Sequence, residues 1–160
     1  MSEHTRSRIP LAIIVLLLLV IAAMAYKFAV VGSVEPAADG RKAVVLAPSE
    51  RAFVLREMRG FVEGLQQVTA ALARDDMRAV AAAARKMGMA AAHDAPVEIM
   101  AKLPLEFKTM AFGVHRGFDA MALDAESMGD PKHTLAQLGE TLSQCVACHS
   151  TYEFKTPPTR

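Results

Sequence analysis

The chain has 160 residues, enough for one domain of ordinary size and an additional segment. Its formal net charge of +1 argues against a nucleic-acid-binding surface, and 52% apolar residues is slightly high for a soluble domain. Ten Met, an Ala-rich patch and no Trp favour helices. We therefore predict a helical protein that binds no nucleic acid.

The excess of apolar residues comes from one segment, residues 9–31, with the sequence IPLAIIVLLLLVIAAMAYKFAVV. Only Lys27 interrupts it. A helix of this length can cross about 30 Å of hydrocarbon. Arg6 and Arg8 precede it, which favours an N-terminus on the cytoplasmic side.

Two interpretations of this segment compete. It could be a signal peptide cleaved after the small residues around Ala23–Ala25, or an uncleaved signal anchor. The run from Leu11 to Ala25 is Leu-rich and apolar residues continue beyond it, so we predict an anchor over residues 1–31. Both interpretations place the remaining chain on the far side of the membrane.

Residues 32–47 are rich in Gly, Pro, Ser and acidic residues in their first half, which predicts a linker before a domain over residues 48–160. Such a tether would let the domain search a limited volume near the membrane. No segment of the chain predicts a β-strand.

Apolar residues then recur at intervals of three and four, which predicts four amphipathic helices and an all-α domain. Ser49 is the expected N-cap of the first helix, and Pro104 is the expected first-turn residue of the third. The second connection contains two prolines. The helices are expected over about 49–73, from Asp75 to about 88–93, over about 104–129, and from Pro131 onward. The predicted architecture is a four-helix bundle preceded by a transmembrane anchor.

Residues 145–149 read CVACH and contain both cysteines of the chain. Cys145 and His149 continue the leucine stripe of the fourth helix. C-x-x-C-H is the attachment pattern of a c-type haem: each thiol forms a thioether, and the histidine binds the iron. We predict one covalent haem c held by Cys145 and Cys148, with His149 as the proximal iron ligand.

Two other uses of these residues fit less well. A thioredoxin-type pair normally opens a helix beside a sheet, whereas this motif ends a helix. A zinc site needs four ligands, and the fourth candidate, His133, lies roughly 20 Å away by helical rise. A disulfide between cysteines three residues apart would connect nothing distant.

The position of the motif at the end of a fourth helix resembles class II cytochromes c, the cytochrome c-prime and c-556 group. The matching segments are CVACHSTY at 145–152 and ERAFVLREMRGF at 50–61, and the resemblance covers about residues 45–155. It implies a haem-binding four-helix bundle, which in relatives often dimerises through the first two helices. Where the family often has a basic residue after the tyrosine, this chain has Glu153.

The resemblance leaves the other side of the iron open. In the c-prime type an apolar side chain of the first helix covers a vacant position, which Leu55, four residues after Arg51, would do here. In the c-556 type a first-helix methionine binds the iron, and Met58 has a suitable thioether. A methionine on such a stripe is otherwise a core residue. We predict Met58 as the distal ligand and Leu55 as the alternative cover.

Other histidines and arginines have weaker assignments. His115 lies close to the inner stripe of the third helix, where it is a candidate ligand or haem-edge donor, although such a residue is more often on the surface. His93 and His133 are expected to face solvent. Surface exposure is also the default for three arginines, one of which could pair with a haem propionate: Arg51, Arg56 and Arg59.

These features predict a mono-haem cytochrome c anchored in a bacterial inner membrane, with the haem domain in the periplasm. It would carry one electron between membrane-bound or periplasmic redox proteins. The alternatives are a five-coordinate protein that binds nitric oxide or carbon monoxide, and a haem subunit of a larger respiratory or photosynthetic assembly. No enzymatic activity is expected, because no nucleophile with a base, carboxylate pair or phosphate loop is evident.

Overall fold

The computed structural model describes residues 3–157, with side chains from Pro10 onward. Arg6 and Arg8, on which the predicted orientation depends, and the last three residues of the predicted domain lie outside the described side chains. The chain is mostly helical. Its helices are α1 (Glu3–Tyr26), which continues into a π-helical turn (Lys27–Val31), α2 (Pro48–Leu72), α3 (Met77–Arg85), α4 (Met89–Ala92), α5 (Val97–Met100), α6 (Leu105–Ser127) and α7 (Pro131–Thr151).

Helix α1 with its π-helical turn contains the apolar segment. The stretch Pro10–Val31 has a mean hydropathy of 2.7, and none of it is buried within the protein. In the described part of the chain, this is the one helix long and apolar enough to cross a membrane. A signal sequence has the same length and composition.

The boundaries of the long helices agree closely with the predicted ones, and local chemistry explains them. Helix α2 begins one residue before the expected cap, and the Glu50 carboxylate accepts a hydrogen bond from the Ala47 amide at 2.7 Å. Asp76 caps α3 by accepting from the Ala79 amide at 3.0 Å. Asp130 does the same for α7, directly before Pro131.

The helices pack in sequence: α2 against α3, α3 against α6, and α6 against α7. At the end of the domain away from the chain termini, these helices enclose a close-packed cluster of apolar side chains. Small alanines of α3 let α2 and α6 pack closely against it. The fully buried members include Val68, Val80, Ala84, Phe118 and Met121. We call this region the far end of the helical domain.

The other end contains a three-stranded sheet, so the prediction that the chain has no strand is wrong. Strand β1 (Val34–Pro36) pairs antiparallel with β2 (Lys42–Val45), and β2 pairs parallel with β3 (Tyr152–Lys155). We call this the sheet end. A second core cluster lies here, formed by Val44, Leu46, Val54, Ile99, Leu103, Phe107 and Tyr152.

The predicted linker therefore forms part of the folded domain. Within residues 32–47, Ala43, Val44 and Leu46 have no exposed surface. The short apolar run that contains them becomes a strand because it pairs with the segment after α7, more than 100 residues later in the chain. Strand formation depends on such partners more than on local propensity, which is why the local sequence did not reveal it.

Candidate functional site

A cavity of about 350 Å³ lies in the sheet-end half of the domain, with α2 on one side and α7 on the other. Its volume falls within the range of small-molecule and cofactor sites. Most of the lining is apolar or aromatic, contributed by α2, the segment containing α4 and α5, α6, α7 and β3. Apolar side chains that line it include Phe53, Phe61, Ile99, Phe107, Phe112 and Phe154.

All three predicted haem-attachment residues line this cavity. Cys145 and Cys148 are half-buried free thiols, and the exposed imidazole of His149 also contributes to the lining. The spacing of four residues places Cys145 and His149 about one helical turn apart. Burial raises the pKa of both thiols, so they are protonated at neutral pH.

The end of α7 is held by contacts from Arg41, in the connection between β1 and β2. Arg41 Nη1 donates to the carbonyl oxygens of His149 at 3.4 Å and Tyr152 at 3.3 Å, while its Nη2 donates to Glu153 Oε2 at 2.8 Å. Glu153, directly after Tyr152, thus has an ion-pair partner in Arg41. These contacts position the backbone that follows the two cysteines.

A second set of polar contacts fixes the start of β3. The Tyr152 hydroxyl donates to Glu106 Oε2 at 2.6 Å, and Lys42 Nζ lies 2.6 Å from the same oxygen. Lys42 and Tyr152 together hold the pKa of Glu106 below its usual value. Burial, reinforced by the nearby Glu106 carboxylate, raises the pKa of Tyr152.

Met58 and Leu55 differ in their relation to the cavity. Half-buried Met58 lines it, whereas Leu55 is not among the described residues that do. Contacts with α6 show how far from the sheet each residue of α2 and α7 lies. On α2, the Phe61 ring centre lies 5.3 Å from that of His115 of α6. On α7, the Gln144 side chain lies against Gly113 of α6.

Gly113 lies about 3 Å nearer the sheet than His115 along α6. Met58, three residues before Phe61, and Cys145, one residue after Gln144, therefore lie at about the same height. Leu55 lies about one turn nearer the sheet, at about the height of Cys148.

His115 also lines the cavity and is only partly exposed, whereas a residue of this kind is more often on the surface. Its Nδ1 lies 2.8 Å from the Met87 carbonyl oxygen and 3.1 Å from that of Gly88. Carbonyl oxygens only accept, so Nδ1 carries a proton and donates to them. His93 and His133 are exposed, as predicted, and His133 Nε2 lies 3.3 Å from Asp124.

The three arginines of α2 lie outside the cavity lining. Arg51 Nε donates to the Phe154 carbonyl oxygen at 3.1 Å, so it joins α2 to β3. Exposed Arg56 lies over the Phe53 ring, 5.0 Å from its centre. Arg59 is exposed.

Sequence reasoning missed several lining residues, among them Met100, Lys108 and Met110. Met110 follows Phe107 by three residues, a spacing that places both on one helix face and could have revealed it. Met100 lies in α5, within a segment expected to be mostly irregular, so no periodicity could indicate it. Lys108 resembles any other surface lysine in the sequence.

The described residues contain no group of three or more His, Cys, Asp or Glu side chains that could hold a metal ion. The proposed fourth zinc ligand, His133, precedes Cys145 by twelve residues on the same helix, about 18 Å by helical rise. Comparisons of the chain with protein-family models, curated proteins and solved structures find no match.

Proposed function

We propose that this chain is a membrane-anchored cytochrome c with one covalently bound haem, and that it carries single electrons between redox partners. One observation carries the proposal: a single apolar cavity brings together both thiols, the His149 imidazole and the Met58 thioether. The two thiols and the imidazole come from α7, and the thioether comes from α2. An apolar cavity with few polar groups suits a large, flat, mostly apolar ligand.

Residues of α7 would hold the haem. Cys145 and Cys148 are free and half-buried, and their thiols would carry the haem as two thioethers. His149 follows Cys148 directly, and its imidazole would bind the iron.

Met58, on the α2 wall of the cavity, would supply the second iron ligand. Its thioether is a soft donor, and a His–Met pair would raise the reduction potential of haem iron. When bound, the haem supplies the one-electron iron centre. In this proposal α2, α3, α6 and α7 form a four-helix bundle whose apolar side chains keep water from the site.

The apolar helix α1 places the protein in the membrane. In this proposal the segment Pro10–Val31 remains as an anchor in a bacterial inner membrane. The cavity domain lies in the periplasm, because c-type haem is attached outside the cytoplasm in bacteria. Its partners are then membrane-bound or periplasmic redox proteins.

Optical spectra of the reduced protein and two matched variants of α2 test the ligand assignment. Wild-type protein should give a sharp low-spin spectrum that carbon monoxide does not change. Met58→Ala should become high-spin and bind carbon monoxide, since the sixth position is then vacant. Leu55→Ala, from the neighbouring turn, should keep the wild-type spectrum.

Two results would contradict this assignment in different ways. Low-spin bands in Met58→Ala would exclude Met58 as the ligand. A wild-type spectrum that is already high-spin and shifts with carbon monoxide would favour a gas-binding protein. Purified protein that lacks the mass of one porphyrin, after expression in a host able to attach it, would overturn the proposal as a whole.

A further inference from the structure

The apolar helix enters the folded domain without a flexible connection. Gly32, directly after the π-helical turn, is buried and has φ of +68°, a conformation that favours glycine. A Cβ at this position would lie 2.7 Å from the Pro104 nitrogen and would overlap the Lys102 carbonyl oxygen. The backbone of the span therefore abuts the connection between α5 and α6.

Hydrogen bonds secure this junction on both sides of Gly32. The Ser33 amide donates to the Lys102 carbonyl oxygen at 2.7 Å, and the Val45 amide donates to that of Ser33 at 2.9 Å. Lys27 Nζ donates to the Gly32 carbonyl oxygen at 2.6 Å. These bonds restrict rotation between the span and the domain, so the domain cannot search freely around its anchor.

The same junction lies beside the cavity. Lys108 lines the cavity, and its Nζ donates to the carbonyl oxygens of Phe28 at 3.4 Å and Ala29 at 3.3 Å. One side chain thus connects the cavity wall to the last turn of the span. Leu105 precedes Lys108 by three residues, so both lie on one face of α6.

The side chains around this junction have the character of a membrane interface. Leu105 is 50% exposed and Phe28 is 51% exposed. Tyr26 and Lys27 lie within two turns of the end of the span, where an aromatic ring and a long cationic chain typically occupy the headgroup region. The exposed apolar surface of α1 therefore continues directly onto the first turn of α6.

We propose that the face of α6 around Leu105 contacts the bilayer surface and that the rigid Gly32 junction holds the haem cavity against the membrane. This inference rests on the anchor and the haem of the proposed function. The occupant of this face is the phospholipid headgroup layer. Electrons would then pass to or from partners embedded in the same bilayer, without long excursions of the domain.

Spin labels on introduced cysteines test this geometry in the full-length holoprotein. Leu105→Cys and Leu123→Cys form a matched pair on α6, because both native leucines are at least half exposed and lie about 27 Å apart along the helix. The protein is placed in phosphatidylcholine–phosphatidylglycerol vesicles. Collisions of each label with oxygen, which concentrates in lipid, are compared with collisions with a water-soluble nickel complex.

The expected ratio of oxygen to nickel collisions is several-fold higher at position 105 than at position 123. Equal, water-like ratios at both positions would overturn the proposal. A flexible Gly–Ser insertion between Val31 and Gly32 should lower the ratio at position 105. An unchanged high ratio in that variant would show that the rigid junction does not position the domain.

The mass of each labelled protein separates this proposal from the haem assignment. Haem blocks Cys145 and Cys148 as thioethers, so an intact holoprotein gains one porphyrin and one label. Protein with three labels and no porphyrin would contradict the proposed function. The two collision ratios would still report whether the face around Leu105 contacts lipid.

Discussion

The two ends of the helical domain bury their apolar side chains to different degrees. At the far end, Val80, Phe118 and Met121 have no exposed surface. At the sheet end, Phe53, Met58 and Met110 are only partly buried and line the cavity. The same long helices thus form a closed core at one end and an open apolar chamber at the other.

The length of α3 explains the difference. Its nine residues extend about 14 Å, whereas the 25 residues of α2 extend about 38 Å. Beyond Arg85 the chain continues as the short helices α4 and α5, which line the cavity with small alanines and with Ile99 and Met100. The sheet end therefore lacks a full fourth wall, and a bound apolar group would complete its core.

The strongest test of this difference between the far end and the sheet end removes the proposed covalent attachment of the haem. We expect the double variant Cys145→Ala, Cys148→Ala to carry no covalent haem, because no thiol remains to form a thioether. The sheet end should then exchange its amide protons faster, while the far end keeps its protection. Mass spectrometry and hydrogen exchange measure these effects. Val146→Ala alters an exposed side chain between the two cysteines and should behave as wild type.

Truncation of a phenylalanine at each end gives the next largest effect. Phe118→Ala leaves a void in the close-packed end and should lower the free energy of unfolding by about 3–5 kcal/mol, with or without haem. Phe53→Ala removes a partly exposed wall of the cavity and should cost less in the haem-free protein. Urea unfolding of both forms measures the difference. Equal losses in the haem-free protein would mean that the two ends pack equally well.

The sequence predicted the far end better than the sheet end, for physical reasons. The long helices have apolar stripes and capping residues such as Asp76 and Asp130, and these local signals are sufficient to define them. The sheet depends on pairing between residues 42–45 and 152–155, which no local pattern indicates. The motif CVACH located the α7 wall of the cavity, whereas the wall containing Met100 depends on the tertiary fold.

Arg41 offers a smaller test at the sheet end. Arg41→Ala removes the donors to the carbonyl oxygens of His149 and Tyr152 and the ion pair with Glu153. The guanidinium is partly exposed, so we expect a loss of only about 1 kcal/mol in unfolding free energy. Arg56→Ala, at a more exposed site, should change stability by less than about 0.5 kcal/mol. Equal losses in both variants would contradict a role for Arg41 in holding the end of α7.

The smallest expected effect concerns acid. The carboxyls whose pKa is clearly lowered, Asp39, Glu50 and Glu106, lie at the sheet end. Lys102 Nζ, 2.6 Å from Glu50 Oε1, is the main cause for Glu50. A lowered folded pKa stabilises the fold above the unfolded value, here 4.5, and this contribution is lost as pH falls through the folded pKa.

The free energy of unfolding, measured with urea between about pH 6 and pH 3, should therefore fall less for Glu50→Gln than for wild type. The difference should be at most about 1 kcal/mol, because this pair is partly exposed. Glu126→Gln is the matched control, since it removes one partner of the half-exposed ion pair with Arg85 at the far end. Its unfolding free energy should depend on pH as that of the wild type does. If Glu126→Gln flattens the curve as much as Glu50→Gln, acid sensitivity does not distinguish the sheet end from the close-packed one.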